Sequence, residues 1–108
     1  MAQYLVQVAY TSEAIATLVN NPQDRLAVVS KSVKKLGGKL LNGWLSFGEF
    51  DTAIVVQLPD NTAAAAFALA LGAGGACKSV KTTPLISVAE GIEAMKAAAT
   101  AGYKPPAS

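Results

Sequence analysis

Histidine is absent from these 108 residues, and cysteine occurs once. These two facts remove the common zinc constellations, a Ser-His-Asp triad, a Cys-His pair and a histidine-held haem. The lone Cys77 has no intrachain disulfide partner, which points to a reducing compartment and a cytoplasmic protein. Charged residues make up only 15% of the chain, and the seven acidic ones are scattered, so neither a carboxylate metal site nor another cofactor is expected. A net charge of +2, spread over Lys31, Lys34, Lys35, Lys39, Lys78, Lys81 and others, does not argue for nucleic acid. No membrane association is expected either. Met1-Ala2-Gln3-Tyr4 lacks the basic start of a signal peptide, and the longest apolar run, 63–77, is short and ends in glycines.

Apolar residues, by contrast, make up 52% of the chain. A single domain of this size has much surface, so the excess predicts that some faces are covered by further copies, as a homodimer or higher homo-oligomer. The Pro-containing tail 101–108 cannot continue a helix and is either disordered or docked through Tyr103.

Along the chain, Tyr4, Val6, Val8 and Tyr10 alternate with Gln3, Leu5, Gln7 and Ala9, the period of a strand. Thr11-Ser12 can cap a short helix carrying Ile15, Leu18 and Val19. Asn21-Pro22 reads as the start of a second helix, with Asp24 near its N-terminus and Leu26, Val29, Val33 and Leu36 on one stripe. Lys34, Lys35 and Gly37-Gly38 supply its C-terminal chemistry. Asp60 can cap an alanine-rich helix from Asn61 to about Leu71, released by Gly72-Ala73-Gly74-Gly75. That glycine run follows a helix and opens a strand, the reverse of a phosphate-binding loop. A strand over about 77–85 and a helix opened by the capping box Ser87-Val88-Ala89-Glu90 complete the chain.

Between these units, 39–58 reads as a hairpin with a two-residue turn at Gly48-Glu49. Its register sets Phe47 opposite Phe50, Ser46 opposite Asp51, Leu45 opposite Thr52, Trp44 opposite Ala53, Gly43 opposite Ile54 and Asn42 opposite Val55. One face then carries Leu41, Leu45, Phe47, Phe50, Ile54, Val56 and Leu58 and calls for helices. The other carries Asn42, Trp44, Ser46, Asp51, Ala53, Val55 and Gln57 and is amphipathic. The order β-α-β-β-α-β-α predicts an α+β, ferredoxin-like βαββαβ plait with an additional C-terminal helix. Its four-stranded antiparallel sheet has helices on one face, and the second face is suited to a partner sheet.

Six residues are candidates for a ligand site: Tyr10, Asn42, Trp44, Ser46, Asp51 and Lys81. Buried Asp51 could act as an acid or base, or it satisfies backbone donors at the turn. Lys81 is an anion anchor or an edge lysine. Trp44 is a ligand platform or an interface anchor, and Tyr10 a hydrogen-bond donor or a core residue with a polar tip.

Phe47-Gly48-Glu49-Phe50-Asp51, with Gln7-Val8-Ala9-Tyr10-Thr11 before it, Leu36-Gly37-Gly38-Lys39 ahead of the hairpin and Leu58-Pro59-Asp60 after it, resembles the GYD domain family of small bacterial and archaeal proteins. Phe50 stands where the family name implies tyrosine. The resemblance implies a GYD-like ferredoxin-like domain over 1–100 with a dimeric α/β barrel-type fold, and it implies little chemistry. Three functions follow as expectations. The first is an oligomeric binding or sensing domain for a small apolar or aromatic ligand, its pocket bounded by Trp44, Asp51, Tyr10 and Lys81. The second is a cofactor-free monooxygenase- or isomerase-like enzyme, by analogy with similar barrels. The third is a structural assembly protein.

Overall fold

Residues 1–107 are described by a computed structural model, and their elements follow the expected order. β1 (Ala2–Tyr10), β2 (Lys39–Leu45), β3 (Thr52–Leu58) and β4 (Cys77–Leu85) form one antiparallel sheet in the order β2-β3-β1-β4. α1 (Ser12–Asn20) and α2 (Arg25–Lys35) carry the chain from β1 to β2, and α3 (Asn61–Ala73) carries it from β3 to β4. α4 (Val88–Ala99) follows the last strand. This is the ferredoxin-like plait with its additional C-terminal helix.

Strand periodicity decides what is buried. Tyr4, Val6 and Val8 of β1 and Ile54, Val56 and Leu58 of β3 point to one side, where Val33 of α2 and Ala64 and Phe67 of α3 close over them. The Tyr4 hydroxyl donates to Asn61 Oδ1 at 2.7 Å, so its polar tip is satisfied at the edge of the core. The helices stop and start where local chemistry requires. Thr11, Asp24, Asp60 and Ser87 each accept a first-turn N–H. α2 ends in a Schellman motif, in which Gly38 N–H donates to Val33 O and Gly37 N–H to Lys34 O, each at 3.0 Å. Gly37 adopts φ +85°, and a Cβ on Gly38 would collide with the Gln57 carbonyl, so both glycines are required there.

Several expectations need correction. α2 begins at Arg25 with Asp24 as its cap, while Asn21 caps the end of α1 and Pro22 lies in the connection. The hairpin register from Asn42 to Leu45 is as expected, but the strands part at Leu45 and Thr52, so the connection is longer than a two-residue turn. Ser46 N–H still donates to Asp51 O at 2.9 Å, which closes its base. Phe47 does not join the helix-covered face and is 100% exposed at the tip. A register shift between Leu40 and Asn42 gives Leu41 no partner, and Leu40, opposite Val56, packs on the core in its place. α3 runs through Gly72 to Ala73. In the tail, Tyr103 is exposed rather than docked, and Ser108 lies outside the described residues.

α4 buries none of its residues. The radius of gyration is 17.2 Å, against about 13 Å for a compact chain of this length. No helix among the described residues is long and apolar enough to cross a membrane.

Candidate functional site

The six expected site residues do not converge. They divide between the two faces of the sheet and the hairpin tip. Register aligns Trp44, Ala53, Gln7 and Lys81 as one row across the uncovered face, with Asn42, Val55, Leu5 and Thr83 as the next. Trp44 and Lys81 therefore sit on opposite edge strands, about 14 Å apart over three strand spacings. Both are exposed, and no wall stands between them to make a pocket. Tyr10 lies on the other side of the sheet, where its hydroxyl accepts from Thr52 Oγ1 at 3.2 Å.

Asp51 and Ser46 are engaged in structure. The β1–β3 ladder ends at Val8 opposite Thr52, which leaves Tyr10 N–H facing the hairpin connection without a strand carbonyl. Asp51 Oδ2 accepts that N–H at 2.8 Å, and Asp51 N–H donates to Val8 O at 2.8 Å. Ser46 Oγ donates to Phe50 O at 2.8 Å. The segment Phe47-Gly48-Glu49-Phe50-Asp51 is thus a clasp that ties the hairpin tip to the end of β1. Gly48, at φ +152°, supplies the backbone conformation it needs.

A different cavity lies on the helix-covered side. α2 and α3 stand apart there and leave a cleft of about 210 Å³ between them. Val8 and Ile54 are among its floor residues, and Val29, Phe67 and Leu71 line its walls. Tyr10, Thr52, Arg25, Ser32 and Cys77 bring polar atoms to it. A second, more open cleft of about 490 Å³ lies between the α1–α2 connection and β2. Leu18, Leu26 and Gly43 line it, and Trp44 borders it from the β2 edge. Tyr10, Arg25 and Thr52 line both clefts, so the two meet at these residues.

Gly43 belongs to this side of the sheet, and a Cβ there would crowd Leu26 and Ile54. Thr52 is 6% exposed and is the buried polar side chain of the core face, its hydroxyl satisfied by Tyr10. Arg25 Nη1 donates to Gln23 Oε1 at 3.1 Å. Among the described residues the ion pair is Lys96–Glu93, on α4, which leaves the Arg25 guanidinium without a carboxylate partner. Burial pushes the Cys77 thiol above its ordinary range, while the nearby Arg25 charge pulls it down. Cys77 is therefore a protonated thiol at neutral pH, a small apolar lining group.

Tyr10 is the expected residue that reaches this cleft from the sheet floor. Arg25 and Thr52 were not among the expected site residues, although both carry a sequence signal. Arg25 is the chain's only arginine. Thr52 is a hydroxyl in the inward period Thr52, Ile54, Val56, Leu58.

Comparison with known proteins agrees with this architecture. The crystal structure of FFRP-DM1 is similar to this chain with a TM-score of 0.51 at 12% identity, over 80% of this chain and 100% of that one. At such identity the likeness concerns the fold alone. No curated protein matches the chain. The GYD domain model matches residues 4–95, from the first buried strand residue into α4. The chain belongs to the GYD domain family.

Proposed function

We propose that this chain is a homo-oligomeric small-molecule-binding or sensing domain whose ligand occupies the cleft between α2 and α3. The observation that carries the reading is a largely apolar cleft on the sheet that is lined by the hydrogen-bonded Tyr10 and Thr52 hydroxyls and by Arg25. Ligand sites are commonly concave and apolar with a few convergent polar groups, and this cleft has that composition. The candidates on the other face, Asn42, Trp44 and Lys81, belong in this reading to a subunit contact.

The partner is a second copy. Leu5, Ala53, Val55 and Trp44 give the uncovered face an apolar centre between polar flanks. On α4, Val88 is 83% exposed and Met95 71%, and with Ile92 they form one stripe that nothing in the chain itself buries. An uncovered helix stripe and an uncovered sheet face both fit mutual burial between two copies.

Native mass spectrometry of protein purified from its own host tests both parts. The expected result is a multiple of the 11.0 kDa chain carrying a retained mass that is released on denaturation. A monomer would overturn the subunit contact. An oligomer that retains no mass and also shows no cleft shifts in nuclear magnetic resonance with a small aromatic probe would favour the assembly reading. The projecting α4 is the observation behind that alternative.

A further inference from the structure

The geometry points to an apolar monocarboxylate, of the size of one ring, as the ligand class of the α2–α3 cleft. This rests on the proposal that the cleft binds small molecules and adds what they must look like.

Size comes first. An apolar cavity of ~150 Å³ accommodates benzene. The cleft, at about 210 Å³, holds one ring and a small substituent. Charge comes second. The titratable side chains lining the cleft are Tyr10, Arg25 and Cys77, with no acidic residue among them. Arg25 is the one cation there, and it has no carboxylate partner among the described residues. The adjoining cleft does contain an acid, Asp24, which caps α2 by accepting the Leu26 N–H at 2.9 Å and makes no ion pair with Arg25 among the described residues. A single guanidinium fork beside an apolar wall complements one carboxylate, which it can hold through two parallel N–H bonds. A dianion such as a phosphate monoester would find no second cation in the lining.

Hydroxyl chemistry agrees. Thr52 donates to Tyr10 Oη, so the phenolic proton of Tyr10 is free to donate to an acceptor in the cleft. Arg25 at the mouth and Tyr10 on the floor would then address the two oxygens of one carboxylate, with the apolar body against Val29, Phe67 and Leu71. Cys77 needs no chemical role, because its protonated thiol serves as part of the apolar lining.

Titration of the intact chain with benzoate and with neutral benzyl alcohol, followed by amide shifts in nuclear magnetic resonance, tests this. In the unmodified protein benzoate should bind at least ~10-fold tighter than benzyl alcohol, with shifts centred on Tyr10, Arg25, Thr52 and Cys77, and the preference should shrink as salt is raised. Arg25→Gln should abolish the preference, weakening benzoate far more than benzyl alcohol, and Arg25→Lys should restore part of it. Arg25 is exposed, so these variants should fold, which circular dichroism checks. Equal affinities for the two probes, or an Arg25→Gln variant that keeps the benzoate preference, would overturn the carboxylate assignment and leave the small-molecule reading standing. If neither probe shifts the cleft residues, the binding reading falls as well.

Discussion

On one side of β1 and β3, Tyr4, Val6, Val8, Ile54, Val56 and Leu58 are buried under α2 and α3. On the other side of the same strands, Leu5, Gln7, Ala53, Val55 and Gln57 remain half-buried, with no helix of the chain packed across them. The backbone ladder is shared, so hydrogen bonding cannot account for the contrast. Side-chain type does. The covered face is almost wholly branched or aromatic, and its hydroxyls are hydrogen-bonded: Tyr4 to Asn61, and Thr52 to Tyr10. The uncovered face mixes glutamines with aliphatics. A face so mixed tolerates water in the single chain, and its aliphatics are what the proposed subunit contact would bury. The covered face is the stability-bearing one, and of the two clefts on its side the one between α2 and α3 is where the proposed ligand would be held without unfolding the core.

The largest effect separates the two faces directly. Phe67→Ala should cost about 3–5 kcal/mol in urea unfolding, because a fully buried ring leaves a cavity beside an existing cleft. Val55→Lys should leave the chain folded, with unchanged circular dichroism, but lower the subunit count in light scattering. If Val55→Lys keeps the same subunit count, the uncovered face is not the contact. A smaller effect belongs to the clasp at the hairpin tip. Asp51→Ala leaves Tyr10 N–H without its acceptor and should cost about 1–3 kcal/mol, whereas Asp51→Asn, which keeps a carbonyl oxygen, should cost less. Equal losses in the two variants would mean that the carboxylate charge, not the acceptor, is what matters.

The smallest effect concerns pH. The folded state raises the Cys77 pKa, so the thiol's contribution to stability is fully present below the ordinary thiol value of roughly 8.5. As pH rises through that value towards the raised one, the unfolded chain ionises first and the contribution is lost. Urea midpoints of the unmodified protein and of Cys77→Ala, compared at neutral and strongly alkaline pH, should show an extra alkaline loss in the former only. Parallel pH dependences would show that burial of Cys77 has no such consequence.

Much of the fold was legible because its causes are local. Alternation in β1, the caps at Thr11, Asp60 and Ser87, and the Gly37-Gly38 stop each act within a few residues of themselves. The register of Asn42 to Leu45 against Thr52 to Val55 followed from the turn position alone. The site was much less legible. Side chains that share a cleft here come from β1, α2, β3, α3 and β4, and no spacing along the chain signals that meeting. Tyr10 was assigned a pocket with Trp44 and Lys81; Trp44 does border the more open cleft that Tyr10 lines, but the strand pleat puts Lys81 through the sheet from Tyr10. For Asp51 the sequence left two readings, an acid or base and an acceptor for backbone donors at the turn, and the place where the β1–β3 ladder ends makes it the acceptor.

By itself, then, the sequence determined the element order, the plait, most of the helix caps and which face of β1 and β3 would be apolar, since period, capping and turn chemistry are short-range. The tertiary structure decided the rest. Packing separated α2 from α3 and opened a cleft over Thr52. It brought the only arginine to that cleft, and it sent α4 away from the sheet with its apolar stripe uncovered. Those outcomes depend on how volumes from distant segments fill, or fail to fill, the same space.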